Sequence, residues 1–198
     1  MCIRDRDVCL SLTDISGKGV TAALHAGLVK YGVRAFASEG QRPRAVLRSL
    51  NRFYLENDAY EGSESFASVF FACFNPESCT VTYASAGHEA LLLSTETGVA
   101  RALPPTGPII GVFADSPNIY FDERIEVTRS SVLVAVSDGV SEARGEDELY
   151  GIERLIEVCN KNYQKTTQDL CGAIVRSAAG FAQNRIIDDM AVIAVRFL

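Results

Sequence analysis

The chain has 198 residues, of which 47% are hydrophobic and 22% are charged, so it can bury one substantial core but is slightly short for two ordinary domains. Its net charge of -6 at pH 7 argues against a broad nucleic-acid or anionic-membrane surface, since both need clustered positive charge. No apolar run reaches the ~18 residues of a membrane helix, and the N-terminus lacks the apolar segment of a signal peptide. We therefore expect one globular domain that works with a protein partner or a metal ion.

The cysteines form no CxxC pair, and several lie inside apolar runs, where free cysteine behaves as a small buried hydrophobe. This pattern predicts reduced core residues and a cytoplasmic location. The six cysteines are Cys2, Cys9, Cys73, Cys79, Cys159 and Cys171.

The N-terminal part of the chain predicts one strand followed by helices. Apolar and polar residues alternate over residues 8–13, the pattern of a half-buried strand that runs into Asp14. The alanine-rich segment from Val20 to Ser38 predicts a helix. On this helix we expect three residues to be buried against a sheet, namely Leu24, Leu28 and Val29.

The rest of the chain predicts a second helix, a block of strands, and then helices again. The second helix begins at Pro43, since proline is favoured in a first helical turn. Short runs of β-branched, aromatic and apolar residues follow, separated by turn formers, as in antiparallel sheets. The predicted strands are 66–74, 80–87, 90–94, 119–127 and 131–139, with helices at 148–163 and 166–184 and a final strand at 190–198. This order favours α+β layering over alternating parallel βαβ units.

Acidic residues lie where predicted strands end or begin. Asp14 follows the strand at residues 8–13, and Asp138 follows the buried run "VLVAV" at residues 132–136, whereas Asp188 and Asp189 precede the last strand. If the last strand is antiparallel to the other two, all three acidic sites can converge at one sheet edge. Two carboxylates ~5 Å apart repel by roughly 3 kcal/mol at an effective dielectric of ~20, so a proton or a cation must relieve the repulsion. Oxygen ligands favour Mg²⁺ or Mn²⁺ over zinc. The alternative is ordinary turn chemistry, since Asp beside Gly is common in turns.

Five segments in order carry a resemblance to a known family. They are "DISGKGVTAAL", "YASAGHEALLL", "LPPTGPIIGV", "VAVSDGVSEAR" and "DDMAVIAVRF". The chain resembles the SpoIIE/RsbU-type branch of the metal-dependent serine/threonine protein phosphatases, the PPM superfamily. The resemblance implies a four-layer αββα sandwich, in which two antiparallel sheets are flanked by helix pairs. It also implies hydrolysis of phosphoserine or phosphothreonine in a protein by a metal-activated water, without a phospho-enzyme intermediate.

The resemblance assigns metal ligands residue by residue. Asp14 would bridge two ions, and the backbone carbonyl of Ile15 would be a further ligand. Asp138 and Asp188 would complete the first site, with Asp189 as the alternative to Asp188. The ions implied are Mn²⁺ or Mg²⁺, two per domain in the family.

The start of the chain departs from the family pattern. Family members begin with a strand whose "GGD-aromatic-aromatic-D" type motif supplies an acid to the second metal, and nothing before Asp14 resembles it. We therefore expect residues 1–7 to be a non-native or truncated start, residues 8–198 to be a single phosphatase domain without its first strand, and the second metal site to be impaired.

Three further features have both a functional and a structural interpretation. His88 could donate a proton to the leaving serine oxygen, or it could fix a turn. Lys18 could attract the substrate phosphate beside a helix N-terminus, or it could be a solvated turn residue. A basic stripe on the second helix is typical of a solvated face, although an acidic phosphoprotein could dock there. The stripe consists of Arg44, Arg48 and Arg52.

The resemblance also implies partners. The usual substrate in bacterial relatives is a phosphorylated anti-sigma-factor antagonist, which implies a partner-switching pathway in stress or development. An upstream sensor or receiver module and a homodimer are further expectations, with no nucleic acid and no membrane segment in this chain. The alternative function is a degenerate phosphatase fold that binds a phosphoprotein without turnover. A nucleotide hydrolase with two metals is a more distant alternative.

Overall fold

A computed structural model describes residues 2–4, 7–61, 65–94, 96–185 and 187–197. The chain divides into two compact units. Unit 1 comprises residues 1–88 and 105–126, and unit 2 comprises residues 89–104 and 127–198. The prediction of a foreign start at residues 1–7 falls partly outside the described residues, and it stays a prediction, as does the single domain over 8–198.

Unit 1 is an antiparallel sheet with a pair of helices. Its strands are β1 (Cys2–Arg4), β2 (Asp7–Ile15), β3 (Ala67–Asn75), β4 (Thr80–Ala86) and β7 (Glu123–Glu126), and its helices are α1 (Gly19–Ser38) and α2 (Pro43–Glu61). The sheet order is β1-β2-β3-β4-β7. In the β2–β3 register, Asp14 lies opposite Ser68. The predicted strand at 8–13 and the predicted helix at Val20–Ser38 are therefore confirmed to within two residues at each end.

Unit 2 is a second antiparallel sheet with three helices. Its strands are β5 (Ala90–Ser94), β6 (Val99–Leu103), β8 (Val132–Val136) and β9 (Val192–Arg196), and its helices are α3 (Asp138–Ser141), α4 (Gly151–Lys161) and α5 (Thr167–Phe181). The sheet order is β6-β5-β8-β9, and β9 runs antiparallel to β8. The threonine at the start of α5 stabilises that helix, because the Thr166 side chain accepts a hydrogen bond from the Asp169 amide.

Each unit has its own apolar core. In unit 1, Val29 of α1 and Leu47 and Leu50 of α2 pack with residues of β3 and β4. In unit 2, the fully buried strand β8 packs with Leu155 of α4 and Ile174 of α5. Each unit thus consists of one sheet and one layer of helices. Both sheets are antiparallel, as the predicted α+β class requires.

The prediction for α1 was partly wrong. Val29 is buried and Leu28 is partly buried, but Leu24 is 61% exposed. The buried positions of the helix are His25, Val29, Gly32, Val33 and Ala37. They follow one stripe at helical spacing, and Leu24 lies one position off that stripe.

The basic stripe of α2 is partly an anchor for a loop rather than a solvated face. The loop, residues 105–122 (the 105–122 loop), contributes Asp115, which receives two hydrogen bonds from Arg48 at 2.7 and 2.9 Å. It also contributes Asp122, which accepts the backbone N–H of Arg44 at 2.7 Å, at the start of α2. The pKa of Asp115 is lowered, chiefly by its hydrogen bond to Arg48.

Asn51 attaches the same loop from inside unit 1. Its side chain is fully buried, accepts a hydrogen bond from the Gly111 amide at 2.9 Å and donates one to the Phe113 carbonyl at 3.0 Å. A buried amide that satisfies two backbone groups in this way fixes the path of the loop.

The prediction of six reduced cysteines was wrong for one pair. Cys9 and Cys73 lie directly opposite each other on β2 and β3 and form a disulfide. Among the cysteines whose side chains the structure describes, Cys79, Cys159 and Cys171 are free. Sequence spacing could not reveal the pair, because the two residues are 64 positions apart and meet only through the strand register.

Candidate metal and phosphate site

In unit 1, Asp14 and Ile15 are the last two residues of β2 and lead into a tight turn. Gly17 has a φ of 98° and Gly19 a φ of 81°, values that L side chains adopt only with strain, so glycine is required for this turn. Ser16 closes the turn, since its amide donates to the Phe66 carbonyl and its hydroxyl accepts from the Phe66 amide, both at 2.8 Å.

The exposed Lys18 follows that turn at the start of α1. It lines an open cavity of about 320 Å³ together with Ser16, Thr21 and Ser65. The location beside a long helix's N-terminus is suited to an anion. The role of Lys18 in binding phosphate stays a prediction.

In unit 2, Asp138 lies just beyond the end of β8. Ser137 is the residue before α3, and Asp138 is the first residue of that one-turn helix, with its side chain exposed. The five preceding residues of β8 are all buried. An exposed carboxylate is therefore carried on a rigid, buried strand.

The segment of Asp188 and Asp189 lies beside Asp138, because β8 and β9 are antiparallel and Val136 pairs with Val192. The backbone at residue 139 lies so close to the Asp189 carbonyl that only glycine fits there, since a Cβ on Gly139 would lie 2.3 Å from the carbonyl oxygen. Asp138 and the segment of Asp188 and Asp189 thus lie side by side within unit 2. The predicted convergence of Asp14 with them stays a prediction.

A cavity of about 160 Å³ is lined by both Asp138 and Asp188. Asp138, Asp188 and Glu142 supply acidic groups to its lining, and Arg144 and Arg185 supply guanidinium groups. Asp189 is not among the lining residues, which favours Asp188 as the ligand of the pair. Glu142, Arg144 and Arg185 were not predicted as site residues. Glu142 and Arg144 lie in the segment "VAVSDGVSEAR", but no sequence signal pointed to Arg185.

The donor chemistry of this cavity fits a hard cation. Its acidic residues offer only oxygen, and its described lining contains no histidine or cysteine, which disfavours zinc. Within the described residues, no group of three His, Cys, Asp or Glu side chains lies close enough to hold an ion. Mg²⁺ is commonly held by one or two carboxylates, with water completing its coordination, so two carboxylates on one cavity suffice for such a site.

His88 lies inside unit 1 and is only 2% exposed. Its Nδ1 shares a 2.7 Å hydrogen bond with the Ser68 hydroxyl, and its amide donates to the Ser85 hydroxyl. Ser85 in turn donates to the His88 carbonyl at 2.6 Å. These bonds fit the structural interpretation, in which His88 fixes a turn. Its catalytic role stays a prediction.

The family model described as Stage II sporulation protein E (SpoIIE) matches residues 4–198. The phosphoserine phosphatase RsbU of Bacillus subtilis (strain 168) is 28% identical over 196 residues, covering 98% of this chain and 57% of that protein. The chain thus spans little more than half the length of this relative.

Solved structures show the same fold at low sequence identity. The PP2C phosphatase domain with a regulatory-domain fragment of SpoIIE from Bacillus subtilis matches with a TM-score of 0.81 at 14% identity, over 100% of this chain and 56% of that one. The catalytic domain of the serine/threonine protein phosphatase PstP, in complex with two manganese ions, matches with a TM-score of 0.65 at 12% identity, over 98% and 92% of the chains. These matches confirm the predicted α+β PPM-type fold.

None of the helices that the structure describes is both long enough and apolar enough to cross a membrane.

Proposed function

Because the chain belongs to the SpoIIE family, whose model spans residues 4–198, we propose that it is a metal-dependent phosphatase domain that hydrolyses phosphoserine or phosphothreonine in a protein. The observation that carries the proposal is the cavity of unit 2, which Asp138 and Asp188 both line from the adjoining ends of two antiparallel strands. A divalent cation would balance the negative charge that two carboxylates bring to one cavity.

The metal in this proposal is Mn²⁺ or Mg²⁺, held by Asp138 and Asp188, with Asp14 and the Ile15 carbonyl as the remaining ligands that the family resemblance implies. When bound, such an ion lowers the pKa of water and neutralises charge on a phosphoryl group. We propose one competent metal site and an impaired second site, since only three ligand aspartates were identified.

In this proposal three basic residues bind and orient the phosphoprotein, and a histidine donates a proton. Lys18, in this proposal, attracts the phosphate at the start of α1, and the partial positive charge of the helix N-terminus supports that role. Arg144 and Arg185 add positive charge around the carboxylates of unit 2. His88 is the candidate donor of a proton to the leaving serine oxygen.

The natural substrate that we propose is a small phosphorylated anti-sigma-factor antagonist, in a cytoplasmic partner-switching pathway that controls a stress response or development. The similarity to RsbU, a phosphoserine phosphatase, supports this proposal. An upstream sensor or receiver module and a homodimer belong to the same proposal.

The test is phosphate release from a phosphoserine peptide in Mn²⁺, with Asp138→Asn as the inactivating variant. We expect metal-dependent release by the chain and at least a 100-fold loss in the variant, because the ion loses a charged ligand. Asp147→Asn, in the 146–148 acidic segment of the same unit, is the matched control and should leave the rate unchanged. If Asp138→Asn released phosphate as fast as the unsubstituted protein, the proposed metal site would be contradicted.

The same assay separates the alternatives. If calorimetry shows Mn²⁺ binding but no phosphopeptide is hydrolysed, the degenerate phosphoprotein-binding domain becomes the better interpretation. Hydrolysis of ATP or GTP in preference to the phosphopeptide would favour a nucleotide hydrolase instead.

A further inference from the structure

Ser137 makes an unusual set of contacts next to the cavity of unit 2. Its side chain is almost fully buried, with the residue 5% exposed. Its hydroxyl donates to the Asp189 carbonyl and accepts from the Ala191 amide, both at 2.9 Å. Its own amide donates to the Ala191 carbonyl at 3.0 Å. All three bonds thus join the residue before Asp138 to the segment that carries Asp188.

These bonds lie where the strand pairing ends. The β8–β9 register stops at the pair Val136 and Val192, and residues 187–191 form no regular structure. One residue beyond this pair, the Ser137 amide still hydrogen-bonds the Ala191 carbonyl and continues the backbone pairing of the two strands. The Ser137 hydroxyl extends the connection by two further residues, to Asp189.

The backbone of Asp189, which Ser137 holds, also hydrogen-bonds the carboxylate of Asp188. The Asp189 amide donates to Oδ1 of Asp188 at 2.8 Å. Ser137 therefore fixes the carbonyl of Asp189, and the amide of Asp189 orients the side chain of Asp188. On the other side of Asp138, Gly139 contacts the Asp189 carbonyl so closely that a Cβ there would lie 2.3 Å from its oxygen.

We propose that Ser137 is a positioning residue for the divalent-cation site: its hydroxyl holds the Asp188–Asp189 segment against Asp138 so that both carboxylates face one ion. This inference rests on the proposed function, since it assumes that Asp138 and Asp188 bind the metal. Hydrogen bonds that orient metal ligands typically change metal affinity 10- to 100-fold when removed.

The test compares Ser137→Ala with a serine of the same unit that has a purely structural role. Ser131, just before the other end of β8, is also buried, and its hydroxyl bonds the Thr128 amide at 3.2 Å and the Thr128 hydroxyl at 2.9 Å. Ser131→Ala thus removes a comparable buried hydroxyl outside the cavity. Both variants should melt at similarly lowered temperatures in EDTA.

Calorimetric titration with Mn²⁺ then separates the two roles. We expect Ser137→Ala to bind Mn²⁺ about 10- to 100-fold more weakly, Ser131→Ala to bind it normally, and Ser137→Thr to recover most of the affinity because it keeps the hydroxyl. If Ser137→Ala does not fold, Ser137→Cys keeps the volume, weakens the hydrogen bonds and should show the same loss.

The outcomes distinguish this inference from the proposed function. If the unmodified chain binds Mn²⁺ and hydrolyses phosphopeptide while Ser137→Ala binds Mn²⁺ equally well, the positioning role is overturned and the phosphatase assignment stands. Equal weakening in Ser131→Ala would also overturn it, since the effect would then follow general destabilisation. If the unmodified chain binds no Mn²⁺, both proposals fail.

Discussion

Replacing Gly139 by alanine tests the close contact on which the site of unit 2 depends. The new Cβ would lie 2.3 Å from the Asp189 carbonyl oxygen and 2.9 Å from its carbonyl carbon. Ordinary contact begins near 3.4 Å, so the oxygen has to move by about 1.1 Å. Both obstructing atoms belong to the backbone, so no side-chain rotation can relieve the clash.

The expected cost follows from that displacement. Overpacking of this kind destabilises by about 1 to 3 kcal/mol, which for a chain of this size lowers the melting temperature by roughly 2 to 12 °C. Because the displaced segment carries Asp188, the two carboxylates also separate. A misplacement of about 1 Å can reduce a catalysed rate about 100-fold, and we expect a loss of this order in Mn²⁺-dependent phosphopeptide hydrolysis.

Gly180 provides the matched control. It lies in α5 of the same unit, and a Cβ there would meet nothing within 4 Å. Gly180→Ala should therefore leave the melting temperature unchanged or raise it slightly, since alanine favours a helix over glycine by about 1 kcal/mol. Thermal melting in EDTA and the hydrolysis assay measure both variants. If Gly139→Ala melts and hydrolyses like Gly180→Ala, the contact with Asp189 does not constrain the site.

Two further predictions concern packing and cysteine chemistry. Asn51→Leu should destabilise unit 1 by about 2 kcal/mol or more, because two backbone groups of the 105–122 loop lose their partner. Urea unfolding measures this loss. The control is Asn57→Ala on the same helix, which should cost much less, because the Asn57 side chain donates to the Phe53 carbonyl of its own helix. Burial raises the pKa of Cys159 to about 12, so at pH 8 iodoacetamide should modify the exposed Cys79 and spare Cys159. The unfolded thiol ionises near its ordinary value of 9.0, so this group's contribution to stability is intact below pH 9 and declines between pH 9 and 12. A non-reducing peptide map of the same sample should contain the cross-strand disulfide; its absence, or modification of native Cys159, would refute the described environments.

The sequence by itself determined the order and type of nearly all elements. Alternation over residues 8–13 and helical spacing after Val20 depend on local side-chain patterning, which a linear sequence displays directly. The same locality put Asp138 after one strand and Asp188 before another. Three small elements are missing from the predicted order, namely β1, β6 and the single turn α3. β1 and α3 are too short to show a period.

Tertiary structure decided everything that depends on which distant segments meet. The disulfide of Cys9 and Cys73 follows from strand register. Arg48 of the basic stripe on α2 anchors the 105–122 loop because the fold brings Asp115 to it. In the candidate site, the sequence indicated the aspartates, but it gave no sign of the role that we propose for the Ser137 hydroxyl. A serine before an aspartate resembles any other serine until antiparallel pairing places its hydroxyl 2.9 Å from the Asp189 carbonyl. The physical reason is that ligand identity is a local property of the chain, whereas ligand geometry is set by hydrogen bonds between residues more than fifty positions apart.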